Sequence, residues 1–208
     1  MLPIIDEWNI CSLRQNDYPM KLRPLLATAF LLFSLNCFSQ KISFFREDLD
    51  FKLSNEVFEV DGLYYFRNNT NQEIRQMLFY PFPDVEKYGE IKYISITIEN
   101  DTTSMLATQS AHGALFKVLI KSNEEVAYRI KYGQKVKGNA AKYIITTTQK
   151  WEKPFELADY SLKFPAQIVI DSISIAPDSV EKTPDFCKYY WLRYNFMPVC
   201  DFDIFFRK

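Results

Sequence analysis

Period-two alternation of apolar and polar residues runs through almost the whole chain beyond residue 41, and helical periodicity is nearly absent. Phe45, Leu49, Phe51 and Leu53 share one parity against Arg46, Asp48, Asp50 and Lys52. Phe58, Val60, Tyr64 and Phe66 alternate with Glu59, Asp61, Tyr65 and Arg67. Asn68-Asn69-Thr70-Asn71 reads as a turn, because Asn tolerates positive φ and bonds its own backbone. Ile74 to Tyr80 then returns as a strand and stops at Pro81-Phe82-Pro83, whose prolines lack the N–H that a ladder needs.

Further strands are expected at 92–98, 116–121, 126–132, 143–148, 158–164, 168–175, 189–196 and 202–206. The segments around 116–121 and 126–132 make the clearest hairpin. Pro177 to Pro184 reads as a polar loop bounded by prolines. Roughly ten short strands at regular spacing predict an all-β fold, a single antiparallel β-sandwich with one wet face on most strands. No linker, internal repeat or low-complexity tract divides residues 41–208, which are expected to form one domain.

The first forty residues do not fit that pattern. Met20–Gln40 has a basic start at Lys21 and Arg23, an apolar run from Leu25 to Phe33, and a small-polar end. That order predicts a cleaved signal peptide, since the apolar run is short of the ~20 residues of a spanning helix. Residues 1–19 carry Asp6, Glu7 and Asp17 ahead of it and read as a mis-called extension, with Met20 as the start. The chain is therefore expected to be exported, to the periplasm or the cell surface, touching the membrane only through the transient leader.

Composition sharpens the picture. Eighteen Phe, thirteen Tyr and only five Gly favour strands. The leader carries three residues of each sign, so the exported part keeps the net charge of −1, which argues against a nucleic-acid partner. Removing the leader takes Cys11 and Cys37 with it. Cys187 and Cys200 are left as a candidate disulfide in an oxidising compartment, with two buried free thiols as the alternative.

Candidate chemistry is sparse. His112 is the only histidine and lies in a bend, Ser110-Ala111-His112-Gly113. No metal, cofactor or nucleophile motif occurs, so no cofactor is expected and the chain reads as non-catalytic. The acid pairs that a hydrolase would need are Glu124-Glu125, Asp48 with Asp50, and Asp201 with Asp203; all fall in turns or on solvated faces. Tyr65 and Tyr93 lie on the polar side of their strands, Tyr189 and Trp191 lie opposite Tyr190, Leu192 and Tyr194, and the four form a candidate aromatic platform for a sugar or a partner protein. Trp151-Glu152-Lys153-Pro154-Phe155 reads as a structural plug over an open end of the core.

Four features in order carry a resemblance. They are Tyr80-Pro81-Phe82-Pro83, Tyr128-Arg129-Ile130-Lys131-Tyr132, a Thr-rich strand leading to Trp151 and Pro154 with Ala158 and Tyr160 beyond, and Asn195-Phe196-Met197-Pro198 before Asp201-Phe202-Asp203-Ile204. Together they resemble an uncharacterised family of exported bacterial β-domain proteins, which implies export and a β fold and supplies no activity. Ser39-Gln40 is similar to the ends of Bacteroidetes signal peptides. That resemblance implies O-glycosylation at Asp-Ser/Thr tripeptides, here Thr102, Ser172 and Ser179. The expected function is a binding or interaction module of the envelope, meeting an envelope protein or a polysaccharide. A carbohydrate-binding module and an acid-pair hydrolase are the alternatives.

Overall fold

The computed structural model describes residues 41–207 apart from Thr102. The expected extension and signal peptide, and the Thr102 glycosylation candidate, lie outside the described residues.

The chain is all-β, with three sheets where one two-layer sandwich was expected. The main sheet grows from a hairpin of β1 (Ile42–Leu53) and β2 (Val57–Asn68). On one side β2 pairs with β7 (Glu125–Lys135), and β7 with β4 (Ile91–Ile98). On the other, β1 pairs with β9 (Phe155–Pro165), then come β12 (Phe186–Phe196) and β11 (Ser179–Lys182). The β1–β9 pairing is parallel, so the sheet is mixed and not antiparallel throughout. β11 occupies the segment expected to be a polar loop. Its residues are exposed, as befits an edge strand with no buried face to leave an alternating signal.

Two three-stranded sheets cover one face of this large sheet. The first has the order β3 (Ile74–Pro81), β6 (Gly113–Ile120), β5 (Ala107–Ser110). The second has β10 (Val169–Ile173), β13 (Phe202–Arg207), β8 (Ala140–Tyr143). Aromatic rings join the layers: Phe51 stacks on Phe202 at 5.1 Å, Phe116 meets Tyr128 at 6.0 Å, and Trp191 meets Phe202 edge-on at 4.9 Å. Each such ring is fully buried, and truncating one to Ala costs on the order of 3–5 kcal/mol.

A bulge in β1 sets which residues face that core. Phe44 pairs with Phe66, yet the next partner pair is Arg46 with Tyr65, so Phe45 is an extra residue. Phe44 turns inward onto Phe66, ring to ring at 4.9 Å, and Phe45 turns outward beneath the Arg67 guanidinium at 4.1 Å. Phe45 was expected on the inner face, and Phe44 takes that place. After the bulge Glu47, Leu49, Phe51 and Leu53 all face the core. At the other end of the hairpin, the buried Asn68 amide donates to the carbonyls of Gln72, Ile120 and Lys121, and its Oδ1 accepts from Thr70 N–H. One side chain thereby ties the predicted Asn turn to the β6–β7 turn.

The expected disulfide does not form: Cys187 and Cys200 are free thiols. Cys187 pairs with Phe164 and Phe196 with Phe155, at opposite ends of β9. Nine strand residues span roughly 30 Å, and the four residues after Phe196 can retrace only about 14 Å. The Cα atoms therefore cannot reach the ~4.4–6.8 Å of a bridge. Thiol titration of the unfolded, unreduced protein is expected to count two reactive thiols from this pair, and none would contradict the topology.

Candidate functional site

The two covering sheets do not hydrogen-bond to each other, and the gap between them is a cavity of about 380 Å³. β3 ends its sheet and β8 ends the other, so two edge strands form the facing walls. Residues 76–81 supply one wall. Tyr143, Ile144 and a 3₁₀ helix, Thr146–Trp151, supply the other. The large sheet is the floor, through Phe44 and Glu47 of β1, Tyr64 and Phe66 of β2, and Ile130 of β7. Gln76, Met77, Phe79 and Lys150 are exposed residues of the lining and mark its mouth. Trp151 leans on Phe44 and Phe66 at 5.9 and 5.7 Å, so the segment read as a structural plug also walls the cavity.

Glu47 is the one carboxylate of the lining, and it is 3% exposed. Tyr143 donates its hydroxyl to Oε1 at 2.6 Å and Tyr160 donates to Oε2 at 2.8 Å. Tyr64 lies 2.9 Å from the Tyr143 oxygen and 2.8 Å from that of Tyr80. A phenol has one proton to give. With Tyr143 committed to Glu47, Tyr64 donates to Tyr143 and Tyr80 to Tyr64. The result is a hydroxyl chain polarised toward the carboxylate, each bond strengthening the next. Among the groups acting on Glu47 there is no cation.

Burial dominates the electrostatics. It pushes the Glu47 carboxyl up to about 7 from 4.5, against the two tyrosine hydrogen bonds that favour the charged form; nearby Asp48 raises it further. Burial likewise drives Tyr64, Tyr80, Tyr143 and Tyr160 well above their ordinary value, with the negative charge of Glu47 adding to each, so all four remain neutral donors. Tyr132, packed against Tyr80 at 5.9 Å, buries a hydroxyl that has no partner.

Gly62 makes this arrangement possible. A Cβ there would lie 2.5 Å from both the Tyr64 ring and its hydroxyl, and 2.7 Å from Leu49. Tyr64 therefore folds back over the bare backbone of β2 to reach Tyr80 and Tyr143. Glycine otherwise weakens a strand interior and often marks such a close approach.

The residues singled out from the sequence lie elsewhere. Trp191 is not on an outward platform. It opposes Tyr160 in register, is 1% exposed, and donates its indole N–H to the Ile175 carbonyl at 2.9 Å. Tyr189 turns inward with it, onto Phe164 at 5.1 Å, while Leu192 and Tyr194 face out. Tyr65 and Tyr93 do stand on the outer face, but β7 separates their strands and each is engaged. Tyr65 donates to Asp48, and Tyr93 lies over Gly133 and donates to Glu59. The four aromatics do not form one surface.

The acid pairs are occupied too. Asp48 binds Arg46 and Asp50 accepts from Ser161. Glu125 binds Arg67, Glu124 binds Lys121, and Asp201 and Asp203 share Lys142. His112 is exposed in the β5–β6 turn. Ser172 and Ser179 are exposed on β10 and β11. Among the described residues no three His, Cys, Asp or Glu side chains group as metal ligands.

Sequence reasoning passed over Glu47. The signal was there: Glu47 shares the parity of Leu49, Phe51 and Leu53, an acid on an apolar stripe. Tyr64 shares the apolar parity of its strand and Tyr80, Tyr143 and Tyr160 fall within expected strands, but only the fold brings their hydroxyls together.

No family profile and no curated protein matches the chain. Comparison with solved structures finds a likeness of fold. A Legionella pneumophila protein, provisionally named a nutrient binding protein, superposes with a TM-score of 0.59 at 13% identity, over 80% of this chain and 67% of that one. An M1 zinc metallopeptidase from Deinococcus radiodurans gives 0.49 at 8% identity, and this chain spans 42% of its length.

A carboxyl group near 7 links stability to pH with a definite sign. Between about 4.5 and about 7 the folded protein holds a proton that the unfolded chain releases. The Glu47 contribution to stability therefore falls as pH rises through that window and is flat below and above it. The loss is on the order of 3 kcal/mol. Urea unfolding at pH 4.5 and 8 is expected to show this extra decline in the native protein and not in Glu47→Gln. Equal declines would contradict it.

Proposed function

We propose that the chain is an exported, non-catalytic binding module of the bacterial envelope, and that the gap between β3 and β8 receives its ligand. The observation that carries this reading is a cavity with aromatic walls and one buried polar cluster at its base. Small-molecule sites are commonly of this kind, about 300–1,000 Å³, largely apolar, with a few convergent polar groups that fix orientation. The cavity falls in that range. The binding role in the name of the Legionella neighbour accords with it, on a likeness of fold alone.

A hydrolase is disfavoured, because glycoside hydrolysis needs two carboxyl groups about 5–9.5 Å apart across the substrate and the lining supplies one. A sugar platform of outward aromatics is disfavoured by the inward turn of Trp191.

Blocking the gap tests the proposal. Thr147 lines the cavity from the 3₁₀ helix and is half-buried. A fragment set screened by ligand-observed NMR is expected to give binders whose signals vanish in Thr147→Trp, with Tm unchanged within a few degrees. Met77→Trp at the mouth serves if that variant unfolds. Binders that survive both substitutions, or no binders to the native protein, would contradict the assignment.

A further inference from the structure

Resting on that reading, the site's chemistry specifies one class of ligand more narrowly than its shape does. We infer that the cavity binds a small molecule with a cationic ammonium or amidinium head on an apolar body, the head seated on Glu47 and the body between Phe44, Phe66 and Trp151.

A carboxylate out of water needs a counter-charge or it takes up a proton. Glu47 faces the cavity with neither a lysine nor an arginine bonded to it; its partners are the hydroxyls of Tyr143 and Tyr160. Those bonds use one lone pair on each oxygen, and an ionised carboxylate offers about four acceptor positions. The Tyr64 and Tyr80 oxygens, also on the lining, add acceptors that an N–H donor can use and a carboxylate ligand cannot. Around this cluster the walls are aromatic, and ring faces attract a cation. A neutral sugar would meet the hydroxyls but leave the charge uncompensated.

The groups facing Glu47 set the proton balance. Tyr143 of β8, Tyr160 of β9 and Tyr64 of β2 are neutral donors held above their ordinary range. Asp48, on the outer face of the same strand, adds a small negative field. Lys150, the cation on the lining, belongs to the 3₁₀ helix at the mouth. Glu47 itself is half-protonated at about pH 7. A cationic head entering the site therefore displaces the carboxyl proton to solvent: the neutral acid and the ammonium ion become an ion pair and a released proton.

Three probes of one shape separate the possibilities: 2-phenylethylammonium, 2-phenylethanol and 3-phenylpropanoate, titrated by calorimetry and ligand-observed NMR at pH 5.5 and 8. The ammonium probe is expected to bind tightest, to tighten by roughly tenfold or more from pH 5.5 to 8, and to release a proton at pH 6.5 in buffers of different ionisation enthalpy. In Glu47→Gln its advantage over 2-phenylethanol disappears while 2-phenylethanol still binds. If the alcohol or the anion binds in the gap, as judged by loss in Thr147→Trp, and the ammonium probe does no better, the cation inference falls and the binding site stands. If no probe enters the gap, the cation inference falls, and the fragment screen decides the binding site separately. Ammonium binding that persists unchanged in Glu47→Gln also overturns the inference.

Discussion

The carboxyl group of Glu47 is the constraint around which the middle of this protein is built. An acid on the inner face of a β-sheet is costly, and the surrounding residues answer that cost with hydroxyl groups and not with a charge. Tyr143 and Tyr160 bind it directly from β8 and β9, and Tyr64 and Tyr80 extend the chain through β2 and β3. These four tyrosines come from all three sheets, so the same network that stabilises the carboxyl also holds the layers in register. Phenols are weaker partners than a guanidinium, which leaves the acid near neutrality and its charge available to something else. A residue that lowers stability at pH 8 fits a functional purpose better than a structural one.

The covering layer supplies the access. A single sheet over the seven-stranded floor would bury Glu47 permanently. Here the layer is split, and β3 and β8 present free edges across the gap. Local features then place the groups. The bulge at Phe45 swings Phe44 inward as an aromatic wall, and the bare backbone at Gly62 leaves the space into which Tyr64 folds. Neither feature stabilises its strand by itself. Both make sense as devices that shape the base of one cavity.

Much of the fold was legible in the alternation, because parity alone places Phe58, Val60, Phe66, Leu162 and Phe164 inside. What was not legible follows from the physics of each case. The parallel β1–β9 pair joins residues about a hundred positions apart, and local pattern carries no information on such partners. β11 is an exposed edge with nothing to alternate. Trp191 lies in a stretch, Tyr189 to Tyr194, where aromatics fall on both parities and Arg193 shares the parity of Trp191, so the alternation points the indole outward. Glu47 alone could have been found, as a charged residue on the apolar stripe of β1. Its tyrosines could not, since a buried Tyr and a hydrogen-bonding Tyr look the same in a sequence.

Glu47 is a buried acid without a counter-charge, and NMR titration of its side-chain carboxyl carbon measures the consequence. The resonance, assigned by its loss in Glu47→Gln, is predicted to titrate with a midpoint of about 7 in the ligand-free protein. A midpoint near the ordinary value of 4.5 would mean that water or a cation reaches the carboxylate and that its burial does not govern its charge.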